Sequence, residues 1–153
     1  MKYKLREVAE ICYGKNQKEV QCAYSEIPIL GTRGIMGYSS VPLYSKPSVL
    51  IGRKGSISKV KYIAQPFWTV DTLFYTKIKE DIVYPHYFYY VLSLIDLSKY
   101  DEGTSIPSLR TETLNSVEIE VPALDVQRKS LAVLEAIDEK IQTNVKINDN
   151  LAA

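Results

Sequence analysis

From Leu124 to Leu151 the chain carries neither proline nor glycine. Asp125 is a good N-cap residue at the start of this stretch. About 27 residues at 1.5 Å each predict a helix roughly 40 Å long. A small domain cannot cover a helix of that length, so it must project and meet a partner. Leu134, Ile137, Ile141, Asn144, Asn148 and Leu151 step by 3, 4, 3, 4 and 3. That spacing is an a/d seam, and asparagine on a seam fixes register and orientation at some cost in stability. The alternative is a helix that frays after about Ile141, with Asn144 and Asn148 solvated.

The residues before this helix suffice for one domain with its own core. Hydrophobic content of 46% and charged content of 24% are those of a globular protein. The net charge of +1 hides an asymmetry. Residues 1–79 hold 13 Lys+Arg and 5 Asp+Glu, so 13 − 5 = +8; residues 80–153 hold 6 and 13, so 6 − 13 = −7. Such a split favours a polyanion-binding face beside a surface of another kind, unless folding intermixes the charges. Cys12 and Cys22 match no metal-binding spacing and are expected to be reduced, partly buried thiols. Met1 leads straight into Lys-Tyr-Lys-Leu-Arg, which is no signal peptide, and no apolar run is long enough to span a bilayer. A soluble cytoplasmic protein is expected.

Residues 3–13 read as a short amphipathic helix with Leu5, Val8, Ala9 and Cys12 on one face, stopped near Gly14. Residues 27–30 form a strand. The next ten residues, 31–40, have three glycines in seven positions and read either as a wide turn or as a loop presenting Thr32, Arg33 and Tyr38. Residues 48–53 and 56–63 predict a hairpin around Lys54-Gly55, with Lys59 and Lys61 on its solvent face. Residues 66–78 are a strand region in which Asp71 is expected to be a buried, hydrogen-bonded structural residue. Residues 85–98 read as a helix whose buried stripe is Tyr87, Tyr90, Val91, Leu94 and Ile95; His86 reads as a surface residue at its start. A polar loop at Gly103-Thr104-Ser105 leads into a short helix over 106–114. Residues 117–122 alternate as an edge strand ended by Pro122.

Catalytic signatures are missing from the sequence. The only Asp-x-Lys, at Asp138 to Lys140, lies on the long helix, where its side chains fan apart. One histidine excludes an HNH-type site. The glycine-rich run lacks the closing Gly-Lys-Ser/Thr of a phosphate loop, and neither a methyltransferase tetrapeptide nor a zinc ligand set is present. These features favour a DNA-reading module with a spacer helix over a catalytic subunit, with a cryptic nuclease as a distant option.

The ordered runs IPILGTRGIMGYSS, VLIGRKGSISKV, PFWTVDTLFY, GTSIPSLRTETL, VEIEVPALDVQRK and IDEKIQTNVKIN resemble the specificity subunit of type I restriction–modification systems. The resemblance covers nearly the whole chain, in order. It implies an α+β fold: a target-recognition domain over 1–123, with a twisted, mostly antiparallel sheet and short helices. A projecting helix over 124–153 then pairs as an antiparallel coiled coil through Leu134, Ile137, Ile141, Asn144, Asn148 and Leu151. Family members of normal length have two such halves, so this chain looks like one half. The subunit itself catalyses nothing and takes no cofactor; S-adenosylmethionine and ATP belong to partner subunits.

The implied partners are double-stranded DNA, the modification subunit, a restriction subunit that can join, and a second copy or second specificity half, with no membrane. Arg33 and Arg53 are the candidates for base-edge contact, since Arg suits bidentate contact with guanine. Lys54, Lys59 and Lys61 are candidates for phosphate, with Thr32, Tyr38, Thr104, Ser105 and Arg110 alongside. The competing reading is a truncated interaction module that binds the modification subunit and regulates assembly without reading DNA.

Overall fold

The computed structural model describes residues 1–152. Nine strands, four α-helices and one 3-10 helix follow in order: β1 (Lys2–Lys4), α1 (Leu5–Val8), β2 (Ala9–Tyr13), β3 (Ile27–Gly31), β4 (Gly34–Ser39), β5 (Ser48–Gly52), β6 (Val60–Ile63), β7 (Trp68–Thr69), β8 (Leu73–Ile78), α2 (Pro85–Ser93), the 3-10 helix (Leu97–Tyr100), α3 (Thr111–Ser116), β9 (Glu118–Glu120) and α4 (Leu124–Ala152). The fold is α+β. A four-stranded sheet of order β2-β8-β5-β6 is antiparallel throughout. A three-stranded sheet of order β4-β3-β7 contains the one parallel pairing among the described residues, β3 with β7. β1 and β9 form a two-stranded ribbon.

Residues 3–13 are not one helix. A single helical turn, α1, sits between two strands, because both neighbours pair with distant segments. Lys2 stands opposite Glu120 in the β1–β9 ribbon, and Tyr13 opposite Phe74 in β2–β8. Leu5, Val8 and Ala9 are nonetheless buried in the main core, with Val49, Ile51, Phe74, Phe88 and Leu92.

The ribbon also folds away part of the charge asymmetry. It places Lys2 and Lys4 of the basic half opposite Glu120 and Glu118 of the acidic half. Opposite charges directly across an antiparallel pair are mildly stabilising. At this ribbon the basic and acidic halves share one surface.

The glycine-rich stretch is not a wide loop. Gly31 pairs with Gly34, so Thr32 and Arg33 alone form the tip of the β3–β4 hairpin. Gly34 leaves that turn at φ 121, a conformation glycine adopts freely and other residues rarely do. The segment over 66–78 breaks into β7 and β8 at a turn, and Asp71 is exposed on that turn rather than buried. The predicted hairpin over 48–63 forms, joined by the longer loop 53–59. Lys59 and Lys61 face solvent, while Val60 and Tyr62 pack on the core. The predicted short helix over 106–114 begins later, as α3 at Thr111. The alternation of 117–122 holds, with Val117, Ile119 and Val121 buried and Glu118 and Glu120 exposed.

Helix α2 is shorter than expected, and its fully buried residues are Pro85, Phe88 and Leu92; of the expected stripe, Tyr87, Val91 and Ile95 pack half-buried against the core and Tyr90 is half-buried. Leu94 is 87% exposed, because the helix ends at Ser93 and the chain turns away. The long helix spans 29 residues, beginning at Leu124, so Asp125 lies inside its first turn rather than at the N-cap. A carboxylate there still faces the positive end of the helix dipole. Gln127 is its one fully buried side chain. Everything on α4 beyond Lys140 that the structure describes is exposed.

Candidate nucleic-acid interface

The segment Arg53-Lys54-Gly55 is stitched to loops on both sides. Arg53 N donates to Thr72 O at 2.9 Å, in the turn between β7 and β8. On the other side, Leu109 N donates to Arg53 O at 2.9 Å and Gly55 N to Pro107 O at 2.9 Å. Three loops that are remote in sequence therefore form one ridge.

Arg53 is held at its centre. Its Nη1 donates to the backbone carbonyl of Asp71 at 3.0 Å, and its guanidinium carbon lies 4.9 Å from the Tyr13 ring centroid. Tyr13 is itself propped edge-on against buried Phe74, with ring centroids 5.2 Å apart. A guanidinium has five N–H donors, so these contacts orient the side chain and leave donors free.

On one side of Arg53 lies an open depression of about 320 Å³ lined by Gln17, Thr32, Arg33, Met36, Asp71 and Thr72. On the other side is one of about 440 Å³, whose lining includes Lys54, Thr104, Ser105, Ser108 and Arg110. The second is shaped by Asp101, whose Oδ1 accepts from Gly103 N and Ser108 N, each at 2.8 Å. These two bonds, with Ser108 the larger effect, hold the carboxyl below the ordinary aspartate value. Gly103 is required there for space, since a Cβ would lie 1.8 Å from Ile106 O.

Of the predicted site residues, Thr32, Arg33, Arg53, Lys54, Thr104, Ser105 and Arg110 gather along this ridge. Arg110 differs from the rest, because Glu102 pairs with it at 3.1 Å and offsets its charge. Among the described residues, Arg33, Arg53 and Lys54 have no carboxylate partner. Tyr38 lies back along β4, and Lys59 and Lys61 lie on or beside the edge strand β6; the structure brings none of these into contact with Arg53. Sequence reasoning missed Tyr13, the Asp71 carbonyl, Gln17 and Asp101. Tyr13 was hidden by its assignment to a helix. The Asp71 contribution is a backbone atom, which no side-chain pattern reports.

No group of three or more His, Cys, Asp or Glu side chains among the described residues is arranged to hold a metal ion. No described helix is long and apolar enough to cross a membrane.

Comparison with known proteins decides the family. The profile described as type I restriction modification DNA specificity domain matches residues 1–153. The chain belongs to this family. Specificity subunits of type I systems are non-catalytic, and this chain is a domain of that kind. It is 29% identical over 116 residues to the type I restriction enzyme MjaIX specificity subunit of Methanocaldococcus jannaschii, which covers 73% of this chain and 27% of that one. Its fold is similar to the crystal structure of the type I S subunit from M. genitalium, with TM-score 0.79 at 17% identity, over 94% of this chain and 40% of that one. The HsdS subunit of Thermoanaerobacter tengcongensis gives TM-score 0.69 at 17% identity, again over 94% of this chain and 38% of that one. This specificity domain therefore spans between about a quarter and two-fifths of the length of these relatives.

Proposed function

We propose that the chain is a DNA-reading half of a type I specificity subunit. Residues 1–123 read one half of a bipartite target, and residues 124–153 form the spacer helix, with Ala153 lying outside the described residues. The observation that carries this reading is the held Arg53, flanked by Arg33 and Lys54 without carboxylate partners. A preoriented guanidinium loses less freedom on binding and matches the paired acceptors of guanine in the major groove. Lys54, and more distantly Lys59 and Lys61, supply phosphate contacts that fix position without reading sequence.

The exposed side chains of Ile137, Ile141 and Leu151 support pairing of α4 with a second copy or a second specificity half, as an antiparallel coiled coil with Asn144 and Asn148 in register. A symmetric pair reads a two-fold related target. The modification subunit docks on this assembly and brings S-adenosylmethionine, and a restriction subunit with ATP can join. The division of labour is physical: base flipping and methyl transfer need a deep pocket, whereas target reading needs only an exposed ridge. Free Cys12 and Cys22 suit the reducing cytoplasm.

The test is DNA binding as a function of salt, for the parent chain and an Arg53→Ala/Lys54→Ala variant. The variant is expected to bind more weakly and to lower the slope of log K against log salt by about 1 to 2. Unchanged binding by the variant removes the ridge from the interface. A parent chain that binds the modification subunit but no DNA favours the assembly-module reading instead.

A further inference from the structure

Apart from the ridge, a second polar cluster lies where α4 leaves the globular part. Gln127 is fully buried, and its side-chain amide is used on both sides. Its Oε1 accepts from Tyr84 N at 3.0 Å, and its Nε2 donates to Ile82 O at 2.9 Å and Pro122 O at 2.8 Å. One residue on, Arg128 Nη2 donates to Tyr84 OH at 3.2 Å. Two turns further along α4, Glu135 Oε1 meets His86 Nδ1 at 2.8 Å. A carboxylate only accepts, so that ring nitrogen carries the hydrogen. Next, Tyr90 OH donates to Asp138. His86 is stacked between Tyr62, at 4.5 Å, and Tyr90, at 4.8 Å, which ties this contact to strand β6. Burial first, then the bond to Asp138, push the Tyr90 phenol well above its ordinary value and keep it a donor.

These contacts run in the same chain order along both partners, from Tyr84 to Tyr90 and from Gln127 to Asp138. Two separated attachments on one rigid helix fix its direction, where a single attachment would leave a pivot. The leverage is large. The end of α4 lies 25 residues beyond Gln127, at Ala152. That is about 38 Å, so a rotation of about 5° at Gln127 displaces the tip by about 3.3 Å. The axial rise of one base pair is about 3.4 Å.

We propose that Gln127, His86, Tyr90, Glu135 and Asp138 form a two-point clamp that fixes the exit angle of α4, and that this angle decides which half-site spacing the assembled protein accepts. The clamp residues are positioning residues for target choice. The spacing claim rests on the DNA-reading function proposed above; the clamp itself rests only on these contacts.

The experiment measures a distance distribution within the full chain. Spin labels are placed at Tyr24→Cys and Lys146→Cys, both exposed, in a Cys12→Ser/Cys22→Ser background, and diluted with unlabelled chain. The parent is expected to give one narrow distribution. Tyr90→Phe/Glu135→Ala, which leaves the aromatic packing in place, is expected to broaden it by several ångströms, and Gln127→Ala to broaden it further. An already broad parent, or a folded double variant as narrow as the parent, overturns the clamp.

Spacing is then read by selection from a DNA library of random spacer length, in complex with the modification subunit. In the double variant, preference for the best spacer over one changed by a base pair is expected to fall roughly tenfold, the worth of one specific contact. Half-site sequence preference should stay as in the parent, which a general loss of stability would not achieve. Unchanged spacer preference overturns the spacing claim. A narrow parent that selects no DNA sinks the DNA-reading function and the spacing claim with it, and leaves the clamp standing on its distances.

Discussion

Arg53 lies over the face of Tyr13, 4.9 Å from the ring centroid, although the two residues are 40 positions apart. The contact exists because β2 and β5 are both hydrogen-bonded to β8, which holds Phe74 opposite both Tyr13 and Ile51. Replacing Tyr13 by Ala should free the guanidinium and weaken DNA binding roughly twofold to fivefold, the worth of an exposed cation–π contact. Tyr13→Phe keeps the ring and should bind nearly as the parent does. Fluorescence anisotropy with a labelled duplex checks both. Equal affinity of the Ala variant and the parent would show that the ring does not prepare Arg53.

The 103–108 loop depends on an ionised Asp101. Its folded-state value lies below the ordinary 3.8 because backbone N–H groups bond the charged form. The sign follows: the stabilisation is fully present above the unfolded-state value and is lost as pH falls through the folded one. The titration reported by the amide chemical shifts of Gly103 and Ser108 should therefore have its midpoint below 3.8. In Asp101→Ala those shifts should already be displaced at neutral pH. A parent midpoint above 3.8 contradicts this arrangement.

Gln127→Ala leaves Tyr84 N, Ile82 O and Pro122 O without their partner in a buried site. A loss of about 2 to 4 kcal/mol is expected, since each orphaned buried group costs about 1 to 3 kcal/mol and the losses are partly relieved by water. Urea unfolding followed by tryptophan fluorescence reads it through Trp68, the only tryptophan. A change below about 0.5 kcal/mol, typical of surface substitutions, would mean that the site is not closed.

Ile137 and Ile141 are 51% and 54% exposed in the single chain. Ile137→Asp/Ile141→Asp should leave the globular part folded and abolish self-association in sedimentation velocity at concentrations where the parent associates. Burying two charged side chains in a helix seam is unfavourable by several kcal/mol. A double variant that sediments like an associated parent would place the partner contact elsewhere.

The long helix was legible because its evidence is local: no breaker, and a periodic apolar pattern. The exposed lysines at and just before β6 and the alternation around β9 were legible for the same reason. What failed was non-local. The segment 3–13 has a helical pattern of Leu5, Val8 and Ala9, yet its ends pair with β9 and β8 from far along the chain. Asp71 looked interior because its neighbours are apolar, but the break between β7 and β8 brings it to the surface. Phe88 and Leu92 form the fully buried face of α2, while Tyr90 and His86 meet Asp138 of α4 and Tyr62 of β6, partners far along the chain that no local pattern reports. The ridge residues were named from their charge and their glycine-rich surroundings; their supports, Tyr13 and the Asp71 carbonyl, belong to tertiary structure.

The most direct measurement is adenine methylation across the genome of a host that expresses this chain with its modification subunit. Methylation is expected at one split motif with two-fold related halves, lost or altered when Arg53 is replaced by Ala. An assembled complex that methylates no motif, or the same motif methylated equally by the Arg53→Ala variant, would contradict that expectation.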